Sequence, residues 1–192
     1  MEFILASGNP HKAEEFNSFF KDLKLSIIPA PDKLEVIEDG LTFRDNALLK
    51  ARAYYEKFGK AALADDSGLV IPAKPDILGV YSARFAPDFP DYKDKCQQLI
   101  EEMGVLEGES RGAYFVSYLC FYLSNQETFF FEGRVKGTIS KTIKGEGGFG
   151  YDPIFIPEGR EYSFAQEPDW KALNSHRAKS MQSAIKFFSS RF

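Results

Sequence analysis

Residues 145–153 read Gly-Glu-Gly-Gly-Phe-Gly-Tyr-Asp-Pro and restrict the choice of α/β fold. The letters contain G-x-G-x-x-G, but a dinucleotide-binding turn must open a helix. This stretch leads into a short β-type run at 154–156 instead, so a Rossmann turn is excluded. Its glycines let the backbone approach a ligand closely, and Phe149 and Asp152 add an aromatic face and a carboxylate, which suits nucleobase recognition. On its own, the stretch is more typical of a glycine-rich surface turn.

Strands and helices interleave on both sides of this stretch. Apolar residues at helical spacing predict four helices. One begins at Pro10, and the other three cover about 43–58, 91–103 and 175–188. Thr42 caps the second helix, with Asp45 three residues on. Strand-like runs cover 3–6, 25–28, 61–64, 69–71, 113–123 and 128–135, with a turn at 124–126. We expect one α/β domain over residues 1–192 with a mixed sheet flanked by helices.

Composition narrows the class of protein. A net charge of −4 and a pI of about 5.3 argue against general nucleic-acid binding. Apolar runs stay shorter than the ~18 residues of a membrane span, and no basic leader precedes the first strand, so we expect a cytoplasmic protein without a membrane partner. Cys96 and Cys120 lack metal-type spacing and are expected to be free core thiols in a reducing compartment.

Three cationic side chains occupy positions that stability alone does not favour. Lys50 falls within the apolar stripe of the helix over 43–58, where an ammonium is costly unless it meets a partner or reaches solvent along its stem. His176 and Arg177 follow the capping Ser175 in the first turn of the last helix, where cations oppose the helix dipole. An anionic ligand explains all three positions, but a solvated charge or a structural histidine explains each one alone.

Two further segments suit a phosphate and its metal. The strand–turn–helix over residues 3–12 presents a helix N-terminus, which can bind an anion, although it is not a Walker A loop and a plain βα turn is the alternative. Asp65 and Asp66 are predicted to lie where the 61–64 strand ends, as either a Mg²⁺ site or a simple turn. A second carboxylate could come from the acidic loop, at Glu35, Glu38 or Asp39.

Taken in order, these segments closely resemble the inosine triphosphate pyrophosphatase family, whose members hydrolyse deaminated purine nucleoside triphosphates. The resemblance runs from residue 3 to residue 177, and the ordered set is highly specific although each motif alone is modest. The matching motifs are Ser7-Gly8-Asn9-Pro10-His11-Lys12, Glu38-Asp39-Gly40-Leu41-Thr42-Phe43, residues 46–50, Ala64-Asp65-Asp66-Ser67-Gly68-Leu69, Tyr81-Ser82-Ala83-Arg84, residues 147–153 and Ser175-His176-Arg177.

The resemblance implies a fold and a reaction. The fold would be an elongated α/β protein of two lobes with an active-site cleft between them, assembled as a homodimer. The reaction would be Mg²⁺-dependent hydrolysis of ITP, dITP and XTP to the monophosphate and pyrophosphate, which keeps deaminated purines out of DNA and RNA. A purine nucleotide sensor that uses the same pocket without turnover is the alternative.

The resemblance also implies roles for individual residues. Glu38 and Asp66 would bind the metal, and Asp66 would also act as the general base. The residues expected to contact the substrate are Ser7, Gly8, Asn9, Pro10, His11, Lys12, Lys50, Ser67, Phe149, Gly150, Tyr151, Asp152, Lys171, His176 and Arg177.

The chain departs from the family pattern in two places. Residues 74–79 retain only Gly79 of a glycine-rich segment that many relatives carry, so the shape of this loop and a role of Arg84 are not carried over from the family. Ser7 stands where threonine is common, and it keeps the hydroxyl.

Overall fold

A computed structural model describes residues 1–7, 10–23 and 25–191 of the chain. Within them, no helix combines the length and apolar character that crossing a membrane requires. The strands are β1 (Glu2–Leu5), β2 (Ser26–Pro29), β3 (Ala62–Val70), β4 (Gly112–Tyr122), β5 (Thr128–Ile139) and β6 (Phe155–Pro157). The helices are α1 (Pro10–Phe20), α2 (Phe43–Phe58), α3 (Tyr92–Met103), α4 (Pro168–Asn174) and α5 (His176–Ser189), and short 3₁₀ turns cover Gly79–Arg84, Gly108–Arg111 and Asp152–Ile154.

The six strands form one mixed sheet in the order β2-β1-β3-β4-β5-β6. β1 pairs in parallel with β2 and with β3, whereas β5 and β6 are antiparallel. The helix α1 connects β1 to β2, and the longer segment containing α2 leads to β3, as parallel neighbours require. The predicted α/β class with a mixed sheet is confirmed.

By its internal contacts, the chain divides into two compact units. Unit 1 contains residues 1–67, 117–133 and 179–192, and unit 2 contains residues 68–116 and 134–178. The strands β3, β4 and β5 and the helix α5 therefore contribute residues to both units. One domain over residues 1–192 and a cleft between lobes stay predictions.

Unit 1 has a hydrophobic layer on each face of its strands. Successive side chains of a strand point to opposite faces. Phe3 and Leu5 accordingly join the layer that α1 and α5 cover, while Ile4 and Ala6 join the layer under α2. The first layer is built largely from buried aromatic rings, including Phe16, Phe20, Phe121 and Phe188.

Unit 2 has its own core between α3 and the strands. Leu69, Cys96, Leu99, Phe115 and Phe155 are buried there together. The rings of Phe115 and Phe155 meet edge to face, with centroids 4.8 Å apart, an arrangement that aromatic quadrupoles favour. This core lies beneath the glycine-rich stretch at residues 145–150, because Tyr151 and Ile154, which follow it, are core members.

The helix α2 has both of its predicted ends. The Thr42 hydroxyl accepts a hydrogen bond from the Asp45 N–H at 3.1 Å and so satisfies a free donor of the first turn. Gly59 ends the helix with φ of 65°, and its N–H donates to the Tyr55 carbonyl, as a left-handed C-cap does. The helix is thereby fixed at both ends, which sets the position of Lys50 along it.

Two features of the chain differ from the sequence prediction. The prediction of separate strands at 61–64 and 69–71 is wrong, because β3 runs unbroken from Ala62 to Val70 through Asp65 and Asp66. The acidic residues are tolerated within the sheet because each finds a polar partner. The second difference is α4, a seven-residue helix that begins at Pro168 and is too short to show an apolar period.

Candidate active site

Unit 1 brings two carboxylates and a lysine together. The Lys50 ammonium lies 3.0 Å from Glu38 Oε2 and 3.0 Å from Asp66 Oδ1. Lys50 reaches them from α2, Asp66 from β3 and Glu38 from the loop before α2. The side chains of Lys50, Glu38 and Asp66 are only 15%, 30% and 12% exposed, so the cluster is largely shielded from water.

Burial and neighbouring charges shift the pKa values of Asp66 and Lys50 in this cluster. Burial raises the pKa of Asp66 to about 6, against the opposing effect of Lys50, and Glu38 and Asp65 raise it further. Burial alone would lower the pKa of Lys50, but Asp66 and Glu38 outweigh it and the pKa lies above its ordinary value. Lys50 is therefore a permanent cation at neutral pH.

Asp65 and Asp66 do not form a joint site at a strand end. Both lie within β3, where neighbouring side chains face opposite sides of the sheet. Asp66 faces Lys50 of α2. Asp65 Oδ1 accepts a hydrogen bond from the Ser117 hydroxyl of β4 at 3.1 Å, and the Ser117 hydroxyl lies 3.3 Å from that of Ser180 on α5. The extended backbone is the reason that the expected arrangement at a strand end is wrong.

The donor set fits a hard cation shared with a substrate. Asp66 Oδ2 is buried and has no hydrogen-bond partner among the described residues, which is costly unless a ligand occupies that position. Within the same part of the chain, no three His, Cys, Asp or Glu side chains form a group that could hold a metal ion alone. Mg²⁺ commonly takes one or two carboxylates and completes its coordination with water and substrate phosphates, so Glu38 and Asp66 suffice.

The expected phosphate loop is described in part. Ser7 follows β1 and makes a tight turn, because its N–H donates to the Leu5 carbonyl at 2.8 Å. Gly8 and Asn9 lie outside the described residues. Pro10, His11 and Lys12 form the first turn of α1, but their side chains also lie outside the description. Ser67, next to Asp66 on β3, is half-buried.

Unit 2 gathers four of the predicted base-contacting residues. Phe149 is 60% exposed at the tip of the glycine-rich stretch. The Lys171 ammonium lies 4.0 Å from the centroid of its ring, and the Arg177 guanidinium carbon lies 5.9 Å from it. Asp152 is buried and pairs with Lys171. Burial raises the pKa of Asp152, although Lys171 and the Phe149 N–H oppose the shift.

A cavity of about 530 Å³ adjoins this stretch, large enough for a nucleobase. Phe149, Gly150 and Tyr92 are among its lining residues. Tyr151 faces the core rather than the cavity. Its hydroxyl donates to the Ser82 carbonyl at 2.7 Å, so Tyr151 anchors the stretch from below.

The start of α5 holds His176 and Arg177 as predicted. Ser175 caps the helix, because its hydroxyl accepts from the Ala178 N–H at 3.2 Å. The His176 ring is buried and stacks on Phe115, with centroids 4.8 Å apart and planes 9° apart. Stacking on Phe115 fixes the plane of the imidazole and covers one of its faces.

Sequence reasoning assigned no role to two residues that shape these clusters. Asn46 is buried on α2, and its side-chain oxygen accepts the Gly40 N–H at 2.9 Å, which holds the loop that carries Glu38. Ser82 accepts from the Leu69 N–H at 3.0 Å and donates to the Gly79 carbonyl at 2.6 Å. Both residues lie within the quoted motifs, but no helix or strand periodicity indicates that Asn46 meets Gly40 or that Ser82 meets Leu69, so only the fold identifies these contacts.

The segment that departs from the family pattern ends in the 3₁₀ turn Gly79–Arg84. Gly79 has φ of 67°, a left-handed conformation that favours glycine. The Arg84 guanidinium carbon lies 5.8 Å from the ring centroid of Tyr81, on the protein surface. The retained glycine thus serves the turn.

Comparison with known proteins gives consistent matches over the whole chain. The model of the Ham1 family matches residues 3–187. A dITP/XTP pyrophosphatase of Aquifex aeolicus is 38% identical over 193 residues, covering 96% of this chain and 95% of that protein. A dITP/XTP pyrophosphatase of Hydrogenobaculum is 41% identical and covers 96% and 97%. The Ham1 protein of Staphylococcus aureus has the same fold, with a TM-score of 0.89 at 33% identity and complete coverage of both chains.

Proposed function

The chain belongs to the Ham1 family, and from this membership we propose that it hydrolyses deaminated purine nucleoside triphosphates to the monophosphate and pyrophosphate. Relatives named dITP/XTP pyrophosphatase, 38% and 41% identical over nearly the whole chain, support this reaction and its substrates. The substrates are ITP, dITP and XTP, and their removal keeps deaminated purines from entering DNA and RNA.

The cluster of Glu38, Lys50 and Asp66 carries the proposal. A shielded lysine lies between two carboxylates, one of which has a buried oxygen without a hydrogen-bond partner among the described residues. A metal ion and a phosphate group would complete this arrangement. We assign Glu38 and Asp66 to Mg²⁺, which when bound would neutralise charge on the departing pyrophosphate. Lys50 would contact a phosphate oxygen and add a second positive charge.

The reaction requires a water molecule and a leaving group. The water oxygen attacks the α-phosphorus, the bond from that phosphorus to the α–β bridging oxygen breaks, and pyrophosphate departs. Asp66 is also the residue we assign to accept the proton of the water, as the family resemblance implies. Ser7 to Lys12 would hold the triphosphate by the start of α1.

The base would be read in unit 2. The purine ring stacks on Phe149, the most exposed aromatic ring among the described residues. Hypoxanthine and xanthine carry a 6-oxo acceptor, whereas adenine carries an amino donor at that position. A donor such as Arg177 or His176 pairs with the 6-oxo group and is left unpaired by adenine, and such mismatches discriminate strongly between substrates. Guanine also carries a 6-oxo group, so its rejection would have to act at its 2-amino group.

Pyrophosphate release tests the proposal. We would measure it for ITP, XTP, dITP, ATP and GTP, each with Mg²⁺ and with EDTA. Fast Mg²⁺-dependent release from the first three, with ATP and GTP poor, is the expected result. Tight ITP binding without release would instead support the nucleotide sensor.

We further propose that the protein is a cytoplasmic homodimer, as the family resemblance implies. Light scattering after gel filtration should give twice the monomer mass. A single-chain mass at micromolar concentration would contradict the dimer, and cell fractionation tests the compartment.

A further inference from the structure

One carboxylate oxygen beneath Phe149 has two internal donors. Asp152 is 1% exposed, and its Oδ2 accepts the backbone N–H of Phe149 at 2.8 Å. The same oxygen accepts a hydrogen bond from the Lys171 ammonium. A buried carboxylate with both a cation and an N–H donor is already satisfied on that oxygen.

The backbone closes tightly around this carboxylate. A Cβ atom on Gly148 would clash with Asp152 Oδ2, and Gly148 has φ of 79°. Only glycine fits both the space and the conformation. The glycine next to Phe149 is therefore matched to the position of Asp152.

Lys171 connects the carboxylate to the aromatic ring. Its ammonium pairs with Asp152 and lies 4.0 Å from the centroid of Phe149, within the range of a cation–π contact. The side chain of Lys171 is only 13% exposed. Asp152 thus holds the Phe149 backbone directly and contacts its ring through Lys171.

We infer that Asp152 is a positioning residue that orients Phe149 and Lys171 for the base and does not read the base itself. This inference rests on the proposed function, since it concerns the same pocket. It revises the role that the family resemblance implies for Asp152, which was direct contact with the substrate. It also places Lys171 against one face of the Phe149 ring, where its ammonium is already paired with Asp152.

A double-mutant cycle separates indirect from direct action. We would titrate IMP, which carries the base, and inorganic tripolyphosphate, which lacks it, into the wild type and the variants Asp152→Asn, Phe149→Ala and their combination. Asp152→Asn should weaken IMP binding about tenfold or more, as partial loss of a base–aromatic stack does. Tripolyphosphate binding should change less than about twofold. In the Phe149→Ala background, Asp152→Asn should add less than about twofold.

Additive effects on IMP would overturn the inference, because they would mean that Asp152 contacts the base independently of Phe149. Equal losses for IMP and tripolyphosphate would also overturn it. Lys171→Met provides a second route if Asp152→Asn does not fold, and it should show the same non-additivity with Phe149→Ala. Lys141→Met, which breaks the exposed pair with Glu107, is the matched control and should bind normally.

Turnover gives a readout that a merely structural role would not move. For ITP, Asp152→Asn should raise KM with little change in kcat. If the wild type releases no pyrophosphate from ITP, the proposed function fails, yet the IMP cycle still decides the role of Asp152. A large kcat loss with unchanged KM would contradict the positioning role.

Discussion

Lys50 is the residue that shows most clearly what the structure adds to the sequence. Its place in an apolar stripe marks it as unusual from sequence alone. Its partners cannot be deduced that way, because Glu38 lies in a loop twelve residues earlier and Asp66 lies on a strand sixteen residues later. The structure supplies the reason for the position, which is two carboxylates at 3.0 Å.

Lys50→Met is expected to destabilise the metal-free protein by ~1–3 kcal/mol, because Glu38 and Asp66 lose their counter-charge in a shielded site. The sequence alone shows a buried charge without its partners and therefore predicts unchanged or raised stability for this variant. Thermal unfolding in EDTA measures the loss, and Mg²⁺ should recover part of it.

The matched control is Lys60→Met, which removes an exposed pair with Glu2 and should change stability by less than about 0.5 kcal/mol. An unchanged melting temperature for Lys50→Met in EDTA would show that the carboxylates do not depend on Lys50.

Asp66→Asn is expected to bind ITP but to lose turnover by about a hundredfold or more, because the metal contact and the proton acceptor are removed together. Pyrophosphate release and ITP titration measure the two properties separately. The control Asp65→Asn changes the neighbouring carboxylate, which faces Ser117 on the other side of the sheet, and should keep more turnover. Near-normal turnover in Asp66→Asn contradicts the assignment.

The two thiols are expected to be inert in the folded protein. Burial raises the pKa of Cys96 and of Cys120 to about 12 each. At pH 8 almost no thiolate is therefore present, and the thiolate is the reactive form. Iodoacetamide should label neither residue in the native state and both in denaturant, as mass spectrometry would show. Labelling of the native protein at pH 8 would mean that the buried thiols become accessible to solvent without global unfolding.

At the level of elements, β3 shows where sequence patterns succeed and fail. The apolar run before Asp65 correctly predicts a strand. The strand's continuation through two acidic residues is missed, because their partners Lys50 and Ser117 come from α2 and β4. The ends of α2, by contrast, follow from local capping chemistry and are predicted from the sequence, whereas α4 has too few residues to produce a pattern.

Thr42→Ala is expected to cost ~1 kcal/mol of stability, since it removes the oxygen that accepts the Asp45 N–H. Urea unfolding measures the change. Thr42→Ser keeps the hydroxyl and should be close to wild type. Equal losses in the two variants would point to the threonine methyl group rather than to the cap.

At the level of the whole molecule, the motifs identify which residues belong to a site but not which of these residues contact one another. The family resemblance assigns Phe149, Asp152 and Lys171 to one site, but it does not show that the carboxylate of Asp152 is used internally. The contact with Lys171 joins residues nineteen positions apart, and the contact with the Phe149 N–H depends on how the glycine-rich stretch turns, so neither has a sequence pattern. For the same reason, the division into two units has no signature in composition or in linker sequence.

The fragment 1–67 contains Glu38, Lys50 and Asp66 but should not fold alone. Its apolar layer is completed by Phe121, Phe131, Met181 and Phe188 from later segments. Circular dichroism should show no cooperative thermal transition, and Mg²⁺ should not induce one. A cooperative transition would mean that those four residues are dispensable for the core.

The interleaving of the two units also bears on how the gene can change. The chain passes from one unit to the other after residues 67, 116, 133 and 178. Recombination exchanges contiguous stretches of DNA, so a single crossover cannot deliver unit 1 intact to another protein. Most crossovers would instead place segments of two parents in one hydrophobic core, where their side chains are not adapted to pack together. We therefore expect chimaeras of two relatives to fold mainly when their breakpoints lie at all four boundaries, so that each unit comes from one parent. This lineage would then change by point substitution rather than by exchange of modules.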